Sequence, residues 1–284
     1  MRGGFLFGGS LVITTLLKEP MRNHTTFKVG GPADKFVTTD CPEELIELLA
    51  TEKPLYIIGN GSNLVVRDKG IRGTVVKYTA NRIVVEGNMI IADSGAMLRD
   101  LANAAMENSL TGLEFAHGIP GTVGGAVYMN AGAWGGKMAD IVTEVKAIAG
   151  EEKVFTEFGF KHRQSCFQKN GAIILEVILE LQPGDKNKIK QAMKDMADKR
   201  RRTQPLNYPS AGTVFKKGMK WTKRAGLAGY TIGDAQVSTK NPGFITNKGN
   251  ASAADIEELI KHIYKTVKKK KGKKLKLEVE VIGE

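Results

Sequence analysis

The sequence predicts an α+β protein built in two parts, and three observations carry that prediction. Residues 27–180 read mostly as short β-branched runs punctuated by Gly, Asn and Asp. Near residue 185 the apolar spacing becomes helical. The chain then closes on KLKLEVEVIGE, which alternates with a period of two. A length of 284 residues suffices for two cores. The boundary is expected at 185–190, giving parts 1–188 and 189–284, with the final strand free to pack back on the first part.

Each element follows from its local pattern. MRGGFLFGGSLVITTLLKEP (1–20) has one early arginine and an apolar stretch, but Gly8, Gly9 and Ser10 break it and no small-residue cleavage site follows. It is too short and interrupted to span a membrane, and reads as a strand or short helix leading into the fold. KPLYIIGNGSNLVVRD (53–68) is a buried strand, a tight turn and a second strand; IRGTVVKY (71–78) adds another. RIVVEGNMIIADSG (82–95) is a hairpin turning at Glu86-Gly87-Asn88. AMLRDLANAAMENSL (96–110) is a helix with Ser94 as its expected cap. Residues 143–158 form a second hairpin, and 171–184 a long apolar strand. Ile189, Ala192, Met193, Met196 and Ala197 mark a helix with Asp185 at its N-cap and Pro205 just beyond its end. Ser252 and Asp255 open the last helix, whose stripe is Ile256, Leu259, Ile260, Ile263 and Val267. In the final strand Leu275, Leu277, Val279 and Val281 face one side, and Lys276, Glu278 and Glu280 the other.

The formal charge is +12, concentrated at KRRR (199–202) and KKKKGKK (268–274). Neither block is interleaved with aromatics or joined to a nucleic-acid-binding signature. Lysines in a last helical turn suit the helix dipole, so 268–274 reads as a solvated helix end. Cys41 and Cys166 fit neither a zinc nor a CxxC spacing, and the four histidines form no HExxH pattern. Two free thiols in a reducing, cytoplasmic compartment and no metal are expected. A charge of +12 can mean a nucleic acid, an anionic membrane or an anionic small-molecule substrate as partner.

Two glycine-rich stretches could carry chemistry. GNGSN (Gly59, Asn60, Gly61, Ser62, Asn63) directly follows a buried strand, where short polar residues can turn backbone N–H groups onto a phosphate. Without GK[ST] it is not a P-loop, and with a strand after it not a Rossmann turn. The second is GIPGTVGGAVYMNAGAWGG (118–136). Its length and low charge suit the lining of a large, flat ligand, with backbone amides as donors. Two such loops on a strand-rich scaffold suggest a dinucleotide held extended. Arg200 continues the apolar stripe of its helix, four residues after Met196, and so points inward. It is either a phosphate or carboxylate partner or a helix-end cation. Taken alone, Arg163 in FGFKHRQSCF and Glu278 are surface residues.

Together these fragments are more specific. NHTTFKVGGPAD (23–34), GNGSNLVVRD (59–68), GLEFAHGIPGTVGGAVYMNAGA (112–133), RQSCF (163–167), RRTQPLNYPSAGTVFK (201–216), GYTIGDAQVS (229–238) and LEVEVIGE (277–284) stand in the order found in the UDP-N-acetylenolpyruvoylglucosamine reductases. The chain closely resembles this family from about residue 15 to its end, in the shorter subclass that lacks a tyrosine-loop insertion. The resemblance implies an FAD-binding domain of vanillyl-alcohol-oxidase type, a smaller α+β substrate domain, NADPH as co-substrate, and a monomer acting on a small-molecule UDP-sugar, with neither nucleic acid nor membrane as partner. It places FAD along Gly59–Asn63 and along Gly118, Ile119, Pro120, Gly121, Thr122, Gly124, Gly125 and Ala126. It makes Arg163, Thr213 and Glu278 catalytic, with Asn130, Arg200, Lys217 and Asn241 toward the substrate.

Thr213 stands where the family usually has serine, His162 where tyrosine is usual, and Lys217 where asparagine is. Asn241-Pro242-Gly243-Phe244 replaces an HANF-like stretch. Leu277 and Glu280 replace a common proline and arginine. These departures lie on the substrate side, so a related FAD-dependent oxidase or dehydrogenase with another substrate is the alternative, and a basic nucleic-acid-binding protein a third. A Cβ at Gly124 or Gly125 is expected to collide with the cofactor.

Overall fold

A computed structural model describes residues 13–284. The expected N-terminal element lies mostly outside these residues; within them, Thr14–Pro20 is a strand. It pairs antiparallel with Pro32–Thr39, which runs parallel to Ile71–Tyr78, itself parallel to Leu55–Ile58. These four strands make the first sheet. The second sheet has five antiparallel strands in the order 151–155, 142–149, 173–180, 89–93, 83–86. Both expected hairpins are its members, and Gly87, at φ 63°, makes the first turn.

The helix at 98–107 is present, but Ser94 does not cap it: Met97 holds that position without a side-chain bond. Ser94 is instead buried beneath a second, short helix, Val123–Tyr128, formed by the middle of the long glycine run. Thr122 caps this helix, accepting from the Gly125 N–H. Val123 and Val127 are buried in the first core with Leu98, Leu101 and Val177.

Helix Lys186–Thr203 starts as expected: Asp185 accepts from the N–H groups of Asn187 and Lys188. Its Ile189 and Met193 belong to the first core. Fully burying such side chains is worth about 1.5–3 kcal/mol each, so the helix is held to the first part, and the expected division at 188/189 falls inside its first turn.

The C-terminal part packs helix Ala253–Lys271 on a small sheet, 231–232, 235–237 and 245–247. Both halves of the Ser252/Asp255 capping box form, and Gly272 closes the helix in the left-handed region. Its first N–H groups have a further acceptor from the first part: Asp68 takes hydrogen bonds from Ala253 and Ala254. The second core likewise includes Phe27, Val29 and Val65.

The final strand departs from expectation. It divides into Lys276–Leu277, antiparallel to Phe215–Lys216, and Glu280–Ile282, parallel to Leu64–Val66 of the first part. It changes partner at Glu278-Val279.

The helix at 123–128 accounts for one glycine. A Cβ on Gly124 would lie 2.7 Å from Ser94 Cβ. The cost of such overpacking is about 1–3 kcal/mol. Gly124→Ala is expected to lower the thermal midpoint, and Ser94→Gly in the same chain to restore most of the loss. A Gly124→Ala protein as stable as the parent would refute this packing role.

Candidate active site

The fold sets the two glycine-rich stretches face to face. Asn60 Nδ2 donates to the Pro120 carbonyl at 2.9 Å, and a Cβ on Gly59 would stand 2.6 Å from Thr122 Oγ1. A Cβ on Gly121 would come 3.6 Å from Ser62 Oγ. Gly61, at φ 60°, approaches so closely that a Cβ would strike the His24 carbonyl. Beyond Asn60 the surface opens into a cavity of about 440 Å³ lined by His24, Thr26, Lys77, Asn207 and Tyr208. Thr26 Oγ1 is buried there without a hydrogen-bond partner.

Not every residue of the second stretch faces this groove. Gly124 is buried against Ser94, and Ala126 sits in the first core. The expected collision of a Gly124 Cβ with cofactor is therefore corrected: it would meet protein. Gly125, by contrast, is exposed, and its Cβ would meet only Thr122 Oγ1 at 3.4 Å. Ile119 packs partly on the core, while Pro120 is exposed.

Arg200 leans over Gly118: a Cβ there would stand 3.2 Å from its Cδ and 3.6 Å from a guanidinium nitrogen. Burial lowers its pKa, and no carboxylate among the described residues offsets that. A half-buried cation without a counter-charge beside two glycine-rich loops suits an anionic group. The site residues thus fit FAD: exposed backbone at Gly125, an orphan hydroxyl at Thr26 and an unpaired cation at Arg200 beside Gly118.

Helix Val123–Tyr128 stops just before the residues that meet Arg163. The Tyr128 carbonyl accepts from Ser165 Oγ at 2.7 Å and Gln168 Nε2 at 3.1 Å. The chain then turns through Asn130, at φ 42°. Asn130 uses both ends of its carboxamide on backbone: Nδ2 donates to Lys161 O, and Oδ1 accepts from Ala139 N. Its side chain therefore positions the turn rather than reaching outward.

Arg163 also has a left-handed backbone, at φ 54°. Such a conformation costs a non-glycine residue of order 1–3 kcal/mol and persists only when its surroundings hold it. Here Lys161 and Gln164 exchange backbone hydrogen bonds across the turn, and Lys216 Nζ donates to the Arg163 carbonyl at 3.1 Å. The guanidinium donates to Glu278 Oε1 at 2.7 Å and to the Gly132 carbonyl at 2.9 Å. The Glu278 side chain is 11% exposed and that of Arg163 25%.

Glu278 is fixed from both parts. Its N–H donates to Val214 O, next to Thr213, and its carbonyl accepts from Asn63 Nδ2 at 3.1 Å. The structure thus joins Arg163, Glu278 and the Thr213 segment, with Asn63 linking them to the groove. Thr213 is half-buried and bridges backbone with Phe244. Asn241 spends its side-chain oxygen on the Gly243 N–H, holding the turn before Phe244. Lys217 is exposed, at φ 55°.

Sequence reasoning gave neither Glu280 nor Tyr128 a role in the site. Burial pushes the Glu280 carboxyl up, with Lys216 opposing. Burial also raises Tyr128, and Glu280 adds to it. His162 is lowered, first by burial and then by Arg163. The period-two pattern already put Glu280 on the face of Glu278; nothing local marked Tyr128.

Comparison with known proteins agrees with this geometry. A family model described as an FAD binding domain matches residues 33–156, and one described as the C-terminal domain of UDP-N-acetylenolpyruvoylglucosamine reductase matches 204–282. The UDP-N-acetylenolpyruvoylglucosamine reductase of Caldanaerobacter subterraneus subsp. tengcongensis is 45% identical over 94% of this chain and 93% of its own length. That of Geobacillus thermodenitrificans is 46% identical over 95% and 93%. The crystal structure of the Thermus caldophilus reductase, 35% identical, superposes with a TM-score of 0.83 over 96% of this chain and all of its own. A mixed α/β chain with an FAD-binding domain, this C-terminal domain and relatives similar over nearly its whole length belongs to the UDP-N-acetylenolpyruvoylglucosamine reductase family.

Proposed function

We propose that the protein reduces the enolpyruvyl ether of UDP-N-acetylglucosamine to UDP-N-acetylmuramate with NADPH, in peptidoglycan precursor synthesis. The observation that carries this is the Arg163–Glu278 pair, tied through Asn63 to the glycine-rich loops suited to FAD. The two free thiols, Cys41 and Cys166, suit a cytoplasmic protein, and we take it to act there as a monomer. The substrate domain begins after Thr203, where the helix held to the first core ends.

The backbone of Gly59–Asn63, Gly118–Thr122 and Gly125 would hold FAD, with Arg200 at its anionic part or at the substrate's. When bound, FAD supplies hydride transfer, from NADPH to the enolpyruvyl double bond. Negative charge then develops toward the substrate carboxylate, and preorganised donors aimed there stabilise it. Arg163 supplies them, its direction fixed by Glu278 and the Gly132 carbonyl. Lys217, exposed next to Lys216, and Asn241 are taken to lie toward the substrate.

The other alkene carbon needs a proton, and we assign its delivery to Thr213. Its hydroxyl has the donor capacity of serine, while its methyl group restricts χ1. Asn130 acts at one remove, through the turn that bonds Arg163.

Anaerobic mixing of reduced enzyme with the UDP-enolpyruvyl sugar tests the assignment. The flavin is expected to reoxidise; a flavin that stays reduced would return the chain to another flavoprotein activity. Thr213→Ser should retain turnover, and Thr213→Ala should slow this half-reaction by about 10²–10⁴-fold, the usual worth of a general acid. Flavin reduction by NADPH should be nearly unchanged; equal losses in both steps would remove Thr213 from that role.

Gly125→Val is expected to lose bound FAD while keeping the parent's secondary structure, the reverse order to Gly124→Ala. Retained flavin absorbance would place Gly125 outside the cradle.

Glu280 links stability to pH. A carboxyl raised in the folded state binds its proton more tightly there than in the unfolded chain. Stability therefore falls as pH rises from the ordinary glutamate value of 4.5 through the raised one. Glu280→Gln should be more stable than the parent at neutral pH, with the gain vanishing below the ordinary glutamate range. Thermal midpoints measured across this window check the sign.

A further inference from the structure

The net charge of this protein resides in one patch. Residues 216–226 and 265–276 together carry thirteen Lys or Arg and no Asp or Glu. The remaining twenty-nine basic and thirty acidic residues nearly cancel. The sequence alone reads 268–274 as a solvated helix end; the fold sets a second acid-free segment against it.

Several contacts join the two segments. Phe215–Lys216 pairs with Lys276–Leu277. Helix Met219–Arg224 packs on helix Ala253–Lys271, whose Lys270 Nζ donates to the Ala225 carbonyl at 3.1 Å. Trp221, half-buried between them, is ringed by Lys220, Arg224 and Lys273, each 5.3–5.5 Å from its ring. Apart from Lys216 the basic side chains of the patch are exposed. All the ion pairs among the described residues lie elsewhere, as at Lys18–Asp34, Lys35–Glu52 and Arg67–Glu257.

Unpaired like charges held together repel, and such a cluster calls for an anionic partner. Its composition points to the kind. Twelve of the thirteen are lysines, suited to a diffuse field of anionic headgroups rather than to bidentate recognition of individual phosphates or bases, where arginine leads. The one aromatic is already covered by cations, so no ring is presented for stacking on bases. Met219, beside it, is 49% exposed and offers an apolar contact at the same face. Among the described residues no helix is long and apolar enough to cross a membrane, so contact would be with the surface.

We propose that this lysine patch docks the protein on an anionic lipid bilayer, with the mouth of the active site at its edge, where Lys216 and Lys217 stand. Clusters of four to eight basic residues are a recognised device for this, weakened by salt.

The test uses the FAD-loaded protein, co-sedimented with phosphatidylcholine vesicles with and without roughly one-third phosphatidylglycerol, at about 0.15 M salt. Sedimentation with the anionic vesicles alone is expected. The combined variant Lys223→Gln, Lys268→Gln, Lys269→Gln and Lys274→Gln should lose it by about tenfold or more, with turnover on soluble substrate as in the parent. No binding to anionic vesicles at that salt would overturn the proposal. So would equal binding by the variant, or tighter binding of the parent to duplex DNA or RNA. Salt-dependent loss of kcat/KM in the variant without vesicle binding would overturn it too, making the patch a device for steering the anionic substrate.

Discussion

The change of partner at Glu278-Val279 is the constraint on which the rest of the structure depends. Before it, the last strand pairs with the C-terminal part through Phe215 and Lys216; after it, with Leu64–Val66 of the first. Val279 is buried in the second core, so the opposite face, carrying Glu278 and Glu280, is turned toward the seam. Asn63 clamps both sides of the break: its side chain donates to Glu278 O, and its carbonyl accepts from Glu280 N. One carboxylate is thereby fixed to both parts of the molecule at once. The Arg163 turn, itself conformationally costly, is tied to that carboxylate and to Lys216. The site is thus assembled across the seam and has no complete version in either part.

Local regularity was legible in the sequence where it arose from local causes. The two hairpins, the Asp185 cap and the Ser252/Asp255 box were read from adjacent residues, because turn chemistry and capping act over a few positions. The single-strand reading of 275–284 failed because alternation records which face is apolar, not which neighbour is paired. Ser94 failed as a cap because burial beneath Gly124 took it. In the long glycine run, composition could not separate a glycine required by protein packing, Gly124, from one opening on the groove, Gly125. That distinction depends on what lies 2.7 Å away from a residue thirty positions earlier in the chain.

The candidate site was legible mainly through resemblance. Arg163 and Glu278 are 115 residues apart, and nothing near either predicts their pairing. Asn130 and Asn241 were named as substrate contacts, yet both spend side-chain atoms on backbone turns. Their positions carry meaning through the loops they hold. Glu280 was visible as a departure, but its consequence needed the burial and the nearby Lys216 that only the fold supplies.

The Arg163–Glu278 pair also sets terms for any inhibitor. An acidic compound aimed at the guanidinium competes with a carboxylate already 2.7 Å away and mostly shielded from water. To win, it must displace Glu278 or share the arginine with it, leaving two negative charges close together. Uncharged acceptors directed at the N–H groups Glu278 leaves free would avoid that repulsion. For medicinal chemistry a neutral isostere is therefore one mimic of the substrate's acid that leaves the Arg163–Glu278 pair intact.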